Sequence, residues 1–263
     1  MPATILPVAG VSVAPAGRLR RFWDSTVGKK TVMAVTGIAG LGFVLVHMAG
    51  NLQMFKPVGA APAMHAYAVT LRTLGALLWV ARLALLAAVV LHVTAAVQLT
   101  ARNRSARPVA YARRKARAAT LGARTMRAGG VVLLAFVVFH IADMTFGVGH
   151  PSFTHLDPYN NLRLGFERWW AVVFYVVAVI FLGLHVYHGA WSSWRTIGAR
   201  RPGPRPLRRS VAIVLAVVLT LGFAAIPVAA ALGLFPEAAV STELDNGVSA
   251  SASPVPWTPW GGQ

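Results

Sequence analysis

Residues 31–53 read TVMAVTGIAGLGFVLVHMAGNLQ, a run of twenty-three residues with no charge and one imidazole, His47, toward its end. The hydrocarbon core of a bilayer takes roughly 20 predominantly apolar residues in helical conformation, so this run is long enough to cross it. Four more stretches share its length and character, near 69–99, 128–148, 169–193 and 210–234. Three of them repeat the anomaly, with His92, His140 and His185 deep in the second, third and fourth. An ionisable side chain in a lipid-length helix is costly unless it faces the bundle interior and finds a partner. One per helix, four times over, points to a site built between helices. The expected fold is all-α, an integral membrane bundle of five transmembrane helices.

Composition leads to the same class. Hydrophobic residues make up 56% of the chain and charged ones 12%, where a soluble domain carries about 25% charged residues. With 263 residues, five spans leave no length for a separate soluble catalytic domain. Without a cysteine, disulfides, iron–sulfur clusters and thiolate chemistry are excluded within this chain. A net charge of +18 would suit nucleic acid, but the charges lie between the spans. Twenty of the 25 Lys and Arg residues fall in the N-terminal segment and the second-to-third and fourth-to-fifth connections, while six of the seven acids fall on the opposite side. The positive-inside rule therefore places the N-terminus in the cytoplasm and the C-terminus outside. Prolines punctuate the ends at Pro57, Pro108, Pro151, Pro158, Pro202, Pro204, Pro206 and Pro236, and Pro227 lies inside the fifth span. Three parts are expected: a cytoplasmic segment 1–27 with no removable signal peptide, a five-helix domain 28–236, and a poorly ordered outer tail 237–263. Within the first part, Arg20-Arg21-Phe22-Trp23-Asp24 has the composition of an interfacial anchor.

Depth sorts the histidines. With about 1.5 Å of rise per residue, His47 lies roughly 25 Å and His140 roughly 20 Å from the cytoplasmic boundary set by Lys30 and Arg127. His92 and His185 each lie roughly 15 Å from it, counted from Arg102 and Arg195. His47 and His140 are thus expected to be the iron ligands of an outer haem, and His92 and His185 those of an inner one. Two imidazoles fill both axial positions of a haem iron, which suits electron transfer. Small residues near the ligands, such as Gly37, Gly40, Gly42, Gly183 and Gly189, leave space for a flat macrocycle, although small residues also serve ordinary helix packing. A lone intramembrane histidine serves equally as a packing or proton-path residue, and repetition at matched depths is what favours ligation. His188 shares a helical face with His185, and spacing alone leaves the two open. His150 and His155 read as surface residues of the outer loop. Arg82, the one arginine well inside a span, and Arg124 and Arg127 at the start of the third are candidates for the haem propionates. Snorkelling and topology account for them equally.

Several blocks carry a family resemblance. Thr36-Gly37 followed by His47-Met48-Ala49-Gly50-Asn51-Leu52, Tyr67-Ala68-Val69-Thr70-Leu71-Arg72, Leu78-Trp79-Val80-Ala81-Arg82 and Ala106-Arg107-Pro108-Val109-Ala110-Tyr111 belong to the first half. Arg124-Thr125-Met126, Phe139-His140-Ile141-Ala142-Asp143-Met144-Thr145, Tyr159-Asn160-Asn161 and Leu184-His185-Val186-Tyr187-His188-Gly189-Ala190-Trp191-Ser192 belong to the second. Together, over about 28–198, they resemble the di-haem cytochrome b membrane anchor of succinate dehydrogenases and fumarate reductases, the five-helix, single-subunit type found with menaquinone. The resemblance implies two haem b groups, with the axial ligands falling on His47, His92, His140 and His185. It implies flavoprotein and iron–sulfur partner subunits on the cytoplasmic face of a bacterial cytoplasmic membrane, which hold the FAD and the clusters. Electrons would pass by the inner and then the outer haem to menaquinone, while the anchor itself oxidises no succinate.

Quinone reduction takes up protons, so an ionisable group is wanted near the outer ends of the first two spans. In di-haem fumarate reductases a glutamate before the second helix serves, and alignment from His92 puts His65 in its place. His65 and Asp143 are the candidate quinone-site proton donors, with Tyr67 and Asn51 as further candidates. A second family glutamate, used for transmembrane proton transfer, falls on Gly183 and its role is not carried over. Two other classes stay open: the di-haem anchor of a hydrogenase or formate dehydrogenase, and a haem-free transporter or assembly protein that uses the histidines for protons.

Overall fold

The structure, a computed structural model, describes residues 17–106, 121–150, 152–196 and 206–238. Its elements are α1 (Arg18–Asp24), α2 (Thr26–Asn51) with a 3-10 turn at Leu52–Phe55, α3 (Ala60–Thr73), α4 (Ala76–Ser105), α5 (Leu121–Phe146), α6 (Pro158–Gly165), α7 (Trp169–Thr196) and α8 (Pro206–Ala231). There is no strand among the described residues. Five helices, α2, α4, α5, α7 and α8, are long and apolar enough to cross a membrane, so the chain is a multi-pass membrane protein. The N-terminal residues 1–16, most of the basic connection at 107–120, Pro151, the segment 197–205 with Pro202 and Pro204, and the tail from 239 lie outside the described residues.

Local chemistry explains the entry to the bundle. Ser25 breaks the chain between α1 and α2: its hydroxyl donates to the Phe22 carbonyl at 2.8 Å and accepts from the Gly28 N–H at 2.8 Å, as an N-cap does. Lys29, 1% exposed, folds back so that its ammonium donates to the Trp23 carbonyl and lies 4.7 Å from the Trp23 ring centre. Arg102 near the end of α4 donates to the Asp24 carbonyl at 2.7 Å, which brings the basic ends of α2 and α4 together.

The second span differs from the single helix expected over 69–99. The chain breaks at Gly75, whose φ of +51° is a conformation that side chains with a Cβ resist. α3 is therefore a separate helix, and the span itself starts at Ala76 and runs on to Ser105. Arg82 consequently sits six residues into α4, roughly 9 Å from its start, and not deep in the bundle. It is exposed there, with its guanidinium 5.0 Å from the Trp79 ring centre.

α7 is the hub of the bundle, packing on α8, α5 and α2, whereas α4 packs closely on α2. α7 comes close to α8 at Gly183, where a Cβ would lie 2.1 Å from Thr220 Oγ1. No carboxylate side chain fits there, which gives a packing reason for glycine at this position. Gly183→Ala is expected to destabilise the chain by about 1–3 kcal/mol, the usual range for overpacking. Adding Thr220→Ala should restore most of it, as measured by thermal unfolding in detergent.

The buried core lies at the end of α2 away from Lys29, where Met54, Met64, Tyr159, Phe166, Tyr175 and Phe235 cluster. α6 closes this end: Asp157 caps it by accepting from the Asn160 N–H at 3.1 Å, and the Asn161 side chain bonds the Thr154 backbone in both directions at 2.7 and 2.8 Å. His150 belongs to the same cap. Expected at the surface, it is instead buried, donating from Nε2 to the Asn161 carbonyl at 2.8 Å. A loop that covers an apolar core has to satisfy its carbonyls internally, and His150 does so.

Candidate functional site

The four span histidines meet in two pairs. His47 on α2 and His140 on α5 have ring centres 5.7 Å apart with planes at 78°, and His92 on α4 and His185 on α7 have theirs 6.0 Å apart at 49°. Neither α2 with α5 nor α4 with α7 is among the closely packed helix pairs, so each histidine pair reaches across a gap. His188 lies one turn further along α7; it is His185 whose ring meets His92.

Each ring has a distinct setting. Phe43 stacks on His47 with centres 5.4 Å apart, and Phe136 on His140 at 5.6 Å. His140 Nδ1 shares a hydrogen bond of 3.0 Å with the Tyr175 hydroxyl, His92 Nδ1 one of 3.1 Å with Thr36 Oγ1, and His47 Nε2 one of 3.1 Å with Asn51 Nδ2. His185 Nδ1 is buried without a hydrogen-bond partner, an arrangement native interiors rarely tolerate without a further role.

The ring-centre separations are of the size that a metal held between two imidazoles would need. A metal–imidazole bond of about 2.0–2.1 Å on each side, plus about 1 Å from nitrogen to ring centre, puts two trans imidazole centres roughly 6 Å apart. Among the described residues no three His, Asp or Glu side chains converge, so a bare ion would find only two protein ligands at either pair. A macrocycle that brings four nitrogens of its own needs no more than two. Gly40, Gly130 and Gly189 have nothing within 4 Å of where a Cβ would stand, so space is available beside the spans. At His47, ligation through Nε2 would exchange the Asn51 hydrogen bond for a metal bond.

The other expected residues are placed as follows. His65 on α3 donates from Nδ1 to the Leu156 carbonyl at 2.9 Å, which ties α3 to the cap. Tyr67 packs its ring against Gly50 of α2, where a Cβ would stand 2.9 Å from Cε1. Asp143 is fully buried and clasped by Arg168, whose Nη2 lies 2.9 Å from both carboxylate oxygens. Arg168 also donates to the Gly165 and Gly149 carbonyls at 2.9 and 3.0 Å. Arg124 and Arg127 are exposed in the first turns of α5. Near Arg82, positive charge gathers at the end of α3: burial and then Arg82 lower the pKa of Arg72, and burial and then Arg72 push His155 below the ordinary imidazole value.

Sequence reasoning missed Arg168, Tyr175 and the role of Thr36. The signal for Arg168 was its position just before the fourth span, at the level where Asp143 ends the third. Beside the apolar core a pocket of about 400 Å³ opens between Met54, Phe55, Pro57, Pro62, Tyr159 and Phe235. Compared with protein-family models, with curated proteins and with solved structures, the chain matches none.

Proposed function

We propose that this chain is the membrane-anchor cytochrome b subunit of a succinate dehydrogenase or fumarate reductase in a bacterial cytoplasmic membrane, carrying two b haems and reducing menaquinone. The observation that supports this reading is the two imidazole pairs, each reaching between helices that do not pack closely on one another. His47 and His140 would hold one haem and His92 and His185 the other. Held by two imidazoles each, such groups would supply one-electron transfer.

The remaining residues hold, insulate and exchange protons. Phe43 and Phe136 cover the faces of His47 and His140, which keeps water from the rings. Arg82, Arg124 and Arg127 are the cations proposed for the propionates. His65 donates its Nδ1 proton to Leu156, so Nε2 is left to exchange a proton with a quinone, and the same helix contributes Pro62 to the apolar pocket. Asp143 is the less suited donor, because both of its carboxylate oxygens are already held by Arg168 Nη2. The basic end, taken as cytoplasmic, would receive the iron–sulfur subunit and, through it, the flavoprotein.

Haem content is the test. The purified chain is expected to carry two b haems and give a reduced-minus-oxidised b-type spectrum. Complexes isolated from membranes should contain a flavoprotein and an iron–sulfur protein and oxidise succinate. No b-type absorption would overturn the reading, and a co-purified nickel or molybdenum subunit would move the anchor to another oxidoreductase.

A further inference from the structure

We infer that Thr36 is a positioning residue that fixes the tautomer of His92 and so presets Nε2 as its free lone pair; this rests on the haem reading above. Thr36 Oγ1 on α2 lies 3.1 Å from His92 Nδ1 on α4. Its own hydrogen is committed to the Val32 carbonyl at 2.7 Å, the back-bond that threonine makes to the preceding helical turn. A hydroxyl whose hydrogen is already donated can only accept, so Nδ1 carries the ring proton and Nε2 is bare. The next residue, Gly37, faces the same ring: a Cβ there would stand 3.4 Å from His92 Cε1, at van der Waals contact. Two successive residues of α2 thus meet the ring, one by a hydrogen bond and one by contact. The opposite ring has no such help, since His185 Nδ1 is unpartnered.

An acceptor on the second nitrogen orients a metal-bound imidazole and raises its basicity, which favours ferric over ferrous iron and lowers the potential. The test is a redox titration of the full-length, haem-loaded protein followed at the b-type absorption, the His92–His185 transition being the one lost in His92→Ala. Thr36→Val keeps the shape and removes the hydroxyl; Thr36→Ser keeps the hydroxyl. Thr36→Val should move that transition to more positive potential by about a threefold change in the reduced-to-oxidised ratio, roughly half of the 59 mV that a tenfold change makes for one electron. The other transition should stay in place, and Thr36→Ser should match wild type. Selective loss of the His92–His185 haem from Thr36→Val would also support the role. An unmoved transition, or Thr36→Ser displaced as far as Thr36→Val, would overturn it. Should the valine variant fail to fold, Thr36→Ala is read by the same criteria. Absence of b-type absorption from wild type would remove the haem reading and this inference together, whereas an unmoved potential in a loaded variant sinks this inference alone.

Discussion

His140→Ala is expected to halve the haem content, from two per chain to one, and to leave the His92–His185 transition where it was. The reason is the separation of the pairs: His47 and His140 join α2 to α5, whereas His92 and His185 join α4 to α7. No residue is common to both pairs, so removing one ligand leaves the other pair whole. His47→Ala should have the same effect, and His92→Ala the reciprocal one. His188→Ala should keep both haems, because it is the His185 ring that meets His92. Haem per chain, together with a potentiometric titration, resolves all four variants. If every single replacement emptied both sites, the assignment into two independent pairs would be wrong.

Arg168→Leu is expected to be the most destabilising single substitution outside the pairs. It leaves the Asp143 carboxylate fully buried without its partner and takes away the donor to the Gly149 and Gly165 carbonyls. Breaking a buried ion pair from one side costs about 3–5 kcal/mol, a large part of the roughly 5–15 kcal/mol by which domains are stable. The double variant Asp143→Leu with Arg168→Leu should recover much of that loss, since apolar replacement of both partners is often neutral or better. Thermal unfolding of the three variants in one detergent measures the coupling. Equal stabilities for Arg168→Leu and wild type would show that water or another cation reaches Asp143.

How far the sequence carried depended on whether the information was local. Length and apolarity are properties of a single stretch, and all five spans were legible from them. The break at Gly75 was not, because apolar residues continue on both sides and a lone glycine inside a helical pattern is tolerated. α6 was hidden because its stability comes from a cap that Asp157, Thr154 and Asn161 build with one another, and such reciprocity has no periodic signature. Counting residues from charged boundaries grouped the histidines by depth, and depth survives because helical rise is nearly constant. Azimuth does not survive in the same way. Thr36 faces His92 from another helix, and Tyr175 faces His140 likewise, so both were invisible until the helices had been set around one another.

The seating of α4 bears on how this chain is put together. α4 packs closely on α2, and no residue in its most apolar stretch is buried. The α2–α4 hairpin holds His47 and His92 with their neighbours Asn51, Phe43 and Thr36, but not their pair partners. His140 and His185 each arrive about ninety residues behind their partners. Neither pair can close before the second half of the chain has been inserted, so during synthesis the first two spans form an open clasp. A ligand shared by both rings of a pair would therefore have to wait for α5 or α7.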